Sequence, residues 1–254
     1  MIMTSPFDLT GSLALVTGAS RGIGAGIALA LAEAGAQVIG TARTVGALSA
    51  TAEAVRDAGG SFIALDADLS TTAGARDLAK RASAVGDVGI LVNNAGIAQR
   101  APAEEHSDAM WEEVVAVNLT APFILARELG AGMLARGTGK IIFIASMMSY
   151  QGGRNVASYA ATKTGVTGIV HALANEWGDR GVTVNALAPG YIETDLTSGA
   201  HSDDERRHAF QERIPLGRWG TPADLGGTAV FLSSPASAYV TGVVIPVDGG
   251  WLVR

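Results

Sequence analysis

Seven short apolar runs alternate with longer segments of helical period along almost the whole chain, and this rhythm constrains the fold more than any other feature. The runs lie at residues 13–17, 37–41, 62–66, 90–92, 140–145, 182–186 and 243–247. Most are apolar at nearly every position rather than at every second one. A strand of that kind is buried on both faces, as a parallel strand between two helical layers is. Between the runs, residues 22–34, 47–58, 73–85, 108–135, 158–177, 203–212 and 222–233 carry helical spacing. Gly35 and Gly59 stand where glycine caps close helices. Such alternation predicts an α/β fold: a doubly wound parallel sheet of about seven strands with helices on both faces. No linker or low-complexity tract interrupts residues 1–254, so one domain is expected. Residues 190–211 alone break the rhythm; they are polar, carry His201 and begin after Pro189. They are either a lid over a site or a solvated helix–loop insertion.

Composition removes several kinds of chemistry. The 254 residues include no cysteine, so disulfides, thiolate nucleophiles and Cys-ligated zinc are excluded. The four histidines (His106, His171, His201 and His208) show no metal-ligand spacing, and no metal site is expected. With 18 Lys plus Arg against 24 Asp plus Glu, the net charge of −6 argues against a nucleic-acid partner. No apolar run approaches the roughly 20 residues of a membrane span, and no signal segment is visible, so the expected place is the cytoplasm with no membrane association. Charged residues make up 17%, below the roughly 25% of typical soluble domains. That deficit suggests that part of the surface is covered by other copies of the chain.

The first apolar run leads straight into Gly18-Ala19-Ser20-Arg21-Gly22-Ile23-Gly24, and a helical pattern follows. Strand, glycine turn and helix N-terminus together make an anion site. Glycines let the backbone approach a pyrophosphate, and unpaired N–H groups point at it. The spacing is G-x-x-x-G-x-G, not the G-x-G-x-x-G fingerprint. An NAD site usually carries Asp or Glu near the end of the second strand to hold the ribose 2′-hydroxyl. Here that position is Ala42, and Arg43 follows. Without a carboxylate there is no repulsion of a 2′-phosphate, and an arginine can clamp it. Arg21 could reach the same group. The pattern favours NADP(H) over NAD(H).

Tyr159 and Lys163 stand four apart in a helical segment, on one helix face. A neighbouring ammonium favours the phenolate, so Lys163 is expected to lower the Tyr159 pKa toward a value useful in proton transfer. Ser146 ends the apolar run at 140–145, on the carboxyl edge where open α/β sheets bind ligands.

With these residues assembled, the chain resembles the short-chain dehydrogenase/reductase family, whose fold is Rossmann-like. The resemblance runs through residues 17–24 (TGASRGIG), 93–96 (NNAG), Asn118, Ser146, Tyr159 with Lys163, Pro189-Gly190 and Val247-Asp248-Gly249-Gly250, all in family order. It implies roles. Tyr159 would be the acid in ketone reduction and the base in alcohol oxidation. Lys163 would hold the nicotinamide ribose, Ser146 the substrate oxygen, and Asn118 a water linking Lys163 to solvent. Gly18, Ser20, Arg21, Gly22, Ile23 and Gly24 would line the phosphates and adenosine end. Asp68 and Leu69 would meet the adenine, and Asn94, Ala95 and Gly96 would run along the ribose. Asn94 could equally serve to bond neighbouring backbone. Pro189, Gly190, Ile192 and Thr194 would meet the carboxamide end.

Residues 144–153, 174–177, 188–191, 214–220 and 247–252 resemble the members of that family that act on sugar acids of the gluconate or keto-deoxygluconate type. A sugar acid needs a cation for its carboxylate. Arg100 and Arg154 flank the expected pocket, and Met148 and Gln151 are wall positions. The alternatives are a 3-oxoacyl-carrier-protein reductase and a non-catalytic dinucleotide-binding protein. The family resemblance also implies a homo-oligomer, a tetramer built through residues 108–135, 158–177 and 240–254.

Overall fold

The computed structural model describes residues 5–194 and 204–254. One seven-stranded sheet forms its centre: β1 (Leu13–Val16), β2 (Gln37–Ala42), β3 (Ser61–Asp66), β4 (Val88–Asn93), β5 (Gly139–Ile144), β6 (Val182–Pro189) and β7 (Val244–Val247). The order across it is β3-β2-β1-β4-β5-β6-β7, and every pairing is parallel. The helices are α1 (Gly22–Glu33), α2 (Ser49–Asp57), α3 (Thr72–Val85), α4 (Asp108–Val115), α5 (Ala121–Arg136), α6 (Ala157–Trp177), α7 (Asp204–Arg213) and α8 (Ala223–Ser233).

The two-faced apolar pattern has a direct cause. Leu13 and Leu15 of β1 enter the core beneath α3, α5 and α6, whereas Ala14 and Val16 enter the core beneath α1 and α8. Ile141 and Phe143 of β5 join the first core, and Ile142 and Ile144 the second. Successive residues of a strand point to opposite faces, so both must be apolar. β7 is the exception: it lies at the sheet edge, is only partly buried and exposes Pro246. Proline lacks the N–H a central strand needs and is tolerated at an edge. Gly35 and Gly59, at φ +99° and +79°, close α1 and α2 in the left-handed region.

The helix expected over 108–135 is continuous in chain direction but not uniform. A π turn at Ala116–Thr120 separates α4 from α5. The 29 residues Asp108–Arg136 also correct the expectation that nothing approaches a membrane span. By length and composition this helix is apolar enough, with a window of mean hydropathy 1.4. Half of that window is buried, and the helix packs against α3, β4 and β5 as a layer of the sheet. Of the segment at 190–211, residues 195–203, His201 among them, lie outside the described residues; α7 covers most of the rest.

Strand order reverses between β1 and β4. The crossovers leave that point in opposite directions, opening a crevice at the carboxyl edge.

Candidate active site

The crevice is floored by the turn after β1. Gly18 and Gly22 adopt φ +64° and +55°, values that L side chains rarely take. A Cβ on Gly24 would stand 2.3 Å from the Gly18 carbonyl, so the helix can seat on the turn only without a side chain there. α1 has no side-chain cap, and the first N–H groups of a helix find no partner within it. Two strand ends brace the turn. The Asn94 amide donates to Thr17 O (2.8 Å) and Gly18 O (3.1 Å). The Thr17 hydroxyl accepts from Asn94 N and Ala95 N, each at 3.0 Å. The Asn94 side chain is thus committed to the backbone. Thr17 opens the TGASRGIG motif, but its bracing role follows only from these contacts.

This cradle fits a dinucleotide pyrophosphate: glycine-bare backbone, a helix dipole and uncapped N–H groups converge on one spot. Ser20 and Ile23 are half-buried beside it. Thr194 reaches the same place, its methyl carbon 3.2 Å from where a Gly22 Cβ would stand. Pro189 ends β6, Gly190 packs tightly on Asp248, and Ile192, which is buried, bridges to Gly220. The segment after β6 therefore runs from the sheet edge back over the start of α1.

At the other end of the crevice, Ala67 N donates to Ala42 O at 2.8 Å, so Arg43 and Asp68 follow neighbouring strand ends. Arg43 is exposed. The Asp68 carboxylate accepts from Ser70 Oγ (2.6 Å) and Ser70 N (2.9 Å). Those bonds, with a smaller contribution from the Arg43 charge, hold it below the usual carboxylate range. Leu69 is buried.

The chemical groups lie between β4, β5 and α6. Asn118 sits in the π turn, 1% exposed, and both ends of its side chain are bonded. Its Oδ1 accepts from Ile97 N (2.9 Å), and its Nδ2 donates to Ile97 O (2.8 Å) and Thr162 Oγ1 (3.3 Å). Gly96 lies between Asn118 and Lys163: a Cβ there would be 3.3 Å from Asn118 Oδ1 and 3.6 Å from Lys163 Nζ. Ser146 stands two residues beyond β5 in extended conformation, and its Oγ accepts from Met148 N at 3.1 Å, capping the turn Met147–Ser149. The Ser146 hydroxyl lies near enough to the Tyr159 phenol to favour its ionised form. Lys163 is buried, and its Nζ donates to Ile144 O at 2.6 Å. That nitrogen lies 5.6 Å from the Tyr159 ring centroid.

One expectation is corrected here. Tyr159 is pushed above the usual phenol value, not below it, because burial disfavours the phenolate. The Ser146 hydroxyl and the Arg100 charge act in the lowering direction but do not prevail. Lys163 does not supply the expected lowering. Its own burial brings it down to about 8, and its proton is directed at a backbone carbonyl.

The proposed wall residues separate. Ala101 N donates to Asn155 O (3.2 Å), which ties the loop after β4 to the loop after β5. Arg100 and Arg154 are both exposed, but only the Arg100 charge is felt at the Tyr159 phenol. Gln151 is half-buried, and Met148 packs into a cluster with Met147, Trp219 and Trp251. That aromatic cluster, with Tyr191 and Phe210, was not foreseen. Among the described residues no group of three or more His, Asp or Glu could hold a metal.

A sequence model of the family described as enoyl-(acyl-carrier-protein) reductase matches residues 18–252. The chain belongs to the short-chain dehydrogenase/reductase family. As a member it is an oxidoreductase acting on CH–OH groups. A 2-dehydro-3-deoxy-D-gluconate 5-dehydrogenase of Pseudoalteromonas atlantica is 49% identical over 99% of this chain and 100% of its own length. A Beutenbergia cavernae protein described as an NAD(P)-dependent gluconate 5-dehydrogenase, solved with NADP at low occupancy, superposes with a TM-score of 0.95. It is 52% identical, over 98% of this chain and all of that one. A gluconate 5-dehydrogenase of Burkholderia cenocepacia, solved with NADP and tartrate, is 38% identical over 98% of both chains, with a TM-score of 0.93.

Proposed function

We propose that this dehydrogenase uses NADP(H) to interconvert a secondary alcohol and a ketone on a sugar acid of the gluconate or keto-deoxygluconate type. The observation that carries the reading is the convergence of Ser146, Tyr159, Lys163 and Asn118 at the carboxyl edge, beside the glycine cradle and within reach of the Arg100 charge. Relatives over the full length that act on such acids support the substrate class. The cradle at residues 18–24, Arg43 and Asp68 at the strand ends, Ala95 and Gly96, and the segment from Pro189 to Thr194 would hold the cofactor. When bound, the nicotinamide supplies or accepts the hydride, and its oxidised form adds a positive charge to the site.

The chain's own residues handle the proton and the oxygen. Tyr159 gives its phenol proton to the ketone oxygen in reduction and takes the hydroxyl proton in oxidation. Ser146 donates to that same oxygen and steadies the charge developing on it. Lys163, anchored on Ile144 O, presents its remaining N–H groups to the ribose. Asn118, locked by Ile97 and Thr162, sets the wall against which Lys163 lies and helps hold the water through which protons reach solvent. Asn94 is assigned to bracing the turn. Arg100, rather than Arg154, takes the substrate carboxylate, since its charge reaches the phenol. NADP(H) is preferred because Ala42 removes the competing carboxylate and Arg43 is free to meet a 2′-phosphate.

The assembly in this reading is a homotetramer. Trp111 and Phe123 on the long helix are 44% and 40% exposed, and Val253 is 88% exposed. Apolar groups of that size in the segments expected to pair favour burial against other copies. The compartment is the cytoplasm, which holds the dinucleotide pool the reaction requires.

A turnover screen over sugar acids, neutral polyols and oxoacyl thioesters with both cofactors tests the reading. NADP-linked turnover of a sugar acid is expected. Tyr159→Phe should abolish it while leaving NADPH binding within about twofold, because only the transferable proton is removed. Turnover of thioesters alone would transfer the chain to acyl-carrier reduction.

A further inference from the structure

Beside Ser146 lies a group of aromatic rings that the chemistry above does not use. Tyr191, directly after Pro189-Gly190, stacks on Phe210 of α7 with centroids 4.6 Å apart. It meets the edge of Trp251 at 4.8 Å. The Arg213 guanidinium, at the end of α7, lies 4.0 Å over the Trp251 ring. Met147 and Met148, the two residues after Ser146, pack into the same cluster.

Backbone contacts reinforce these ring contacts. Leu216 N donates to Gly249 O at 3.1 Å. The Asp248 carboxylate accepts from Gly250 N and Leu252 N, both at 2.9 Å, which folds residues 251–253 into a single turn. The Arg254 guanidinium donates to Glu212 O in α7. Gly249 has φ +64°, and a Cβ there would fall 2.7 Å from Ile214, so the close approach needs glycine. Trp251 is 3% exposed. Residues 248–254 therefore grip the C-terminal end of α7 through side chains and main chain together. The grip adjoins Met148, on the substrate side of Ser146.

We infer that residues 248–254 act as a strap that positions α7 and Tyr191 as one wall of the substrate opening. Trp251 is the positioning residue: it sets substrate affinity without touching the reacting atoms. The kinetic side of this inference rests on the sugar-acid reading; the structural side does not. Removing the ring takes away the surface under Arg213 and one of the rings that hold Tyr191, which loosens the helix end, while Tyr191 keeps Phe210 and Trp219 and the Tyr159–Lys163 pair stays anchored on β5.

Trp251→Ala tests this by hydrogen exchange and by kinetics. Backbone amides of residues 208–213 should exchange at least tenfold faster, with those of α8 unchanged. KM for the sugar acid should rise at least fivefold, with kcat and the NADPH dissociation constant within twofold. Trp251→Phe keeps a ring under Arg213 and should restore both measurements to within twofold of the original. Arg213→Gln, which leaves the ring in place, should shift both in the same direction by about threefold, and it carries the test if the alanine variant fails to fold. Unchanged exchange in α7 would overturn the strap. Faster exchange with unchanged KM would overturn its role in the substrate wall. Should the sugar-acid reading fail, the unaltered protein shows no turnover of such acids; the exchange measurement stands, and KM is read on whichever substrate the screen identifies.

Discussion

Alanine at position 24 sets two effects of opposite sign against each other. Gly24 lies in the first turn of α1, where alanine is intrinsically better than glycine by about 0.5–1 kcal/mol. Yet a Cβ there would stand 2.3 Å from Gly18 O and 2.4 Å from Asn94 Nδ2. Neither neighbour yields cheaply. The first is backbone of the phosphate turn, and the second is held by its bonds of 2.8 and 3.1 Å to Thr17 O and Gly18 O. Relieving the clash moves the amide off both carbonyls, at about 1 kcal/mol net per lost bond, with about 1 kcal/mol more, the low end of the cost, for the half-buried amide left unpaired. Packing therefore outweighs propensity, and the net loss is about 2–3 kcal/mol. In a domain of this size 1 kcal/mol moves Tm by about 2–4 °C, so Gly24→Ala should melt roughly 4–12 °C lower. Gly227 in α8 is the control: it is exposed, and nothing lies within 4 Å of its Cβ position. Gly227→Ala should melt about 1–4 °C higher, by propensity alone. Thermal unfolding followed by circular dichroism, paired with NADPH titration, reads both effects. NADPH affinity should fall at least tenfold in Gly24→Ala only, since the displaced turn carries the phosphate-facing N–H groups. If Gly24→Ala matches Gly227→Ala in stability and still binds NADPH normally, the turn is slack and the cradle argument fails.

Three other outcomes are expected. Arg43→Ala should weaken NADPH by about 10- to 100-fold, the worth of one lost charge-assisted contact, and leave NADH within about twofold; equal changes in both would remove Arg43 from the 2′-phosphate site. Arg100→Ala should raise KM for carboxylate substrates and move the pH profile of alcohol oxidation upward, because its charge acts to lower the Tyr159 pKa. Arg154→Ala should do neither, and equivalent effects would contradict the separation of the two arginines. Lys163 ionises at about 8 when folded, against an ordinary 10.5. Between those values the unfolded chain binds the extra proton, so this residue makes the protein more stable as pH rises through that window. Urea denaturation from pH 8 to 10, without cofactor, should show a rise that Lys163→Met flattens; an identical slope in both proteins would refute the assignment.

Most of the sheet was legible because burial on both faces imprints itself on consecutive residues. β1 could be read from four letters, with Leu13 and Leu15 serving one core and Ala14 and Val16 the other. β7 was harder to bound, since an edge strand with an exposed Pro246 carries only half the pattern. The π turn at Ala116–Thr120 was not legible, because the apolar spacing passes through Asn118 without a break. What marks that turn is the Asn118 side chain meeting Ile97 and Thr162, contacts between distant parts of the chain. The aromatic cluster was hidden for the same reason. Tyr191, Phe210, Trp219 and Trp251 share no period, and only the path of the chain after β6 and β7 brings them together.

The electrostatics of Tyr159 show where reasoning from spacing stops. An i, i+4 lysine is a neighbour, as expected, but proximity does not fix the sign of its effect. The burial that brings the two groups together also strips water from both. The phenolate is disfavoured, and the ammonium is brought down to about 8. Lys163 keeps most of its charge at neutral pH, but one of its N–H groups is committed to Ile144 O rather than to the phenol. The lowering contributions come instead from Ser146 and from Arg100, and in oxidation from the cationic nicotinamide. Tyr159 therefore holds its proton at neutral pH, which suits donation to a ketone oxygen. As a base for alcohol oxidation it depends on positive charge brought to the site from outside the Tyr-Lys pair. The phenol is thus the resident form at neutral pH, and oxidation, which draws on the phenolate, should gain toward alkaline pH, a consequence of desolvation that the residue pattern by itself does not contain.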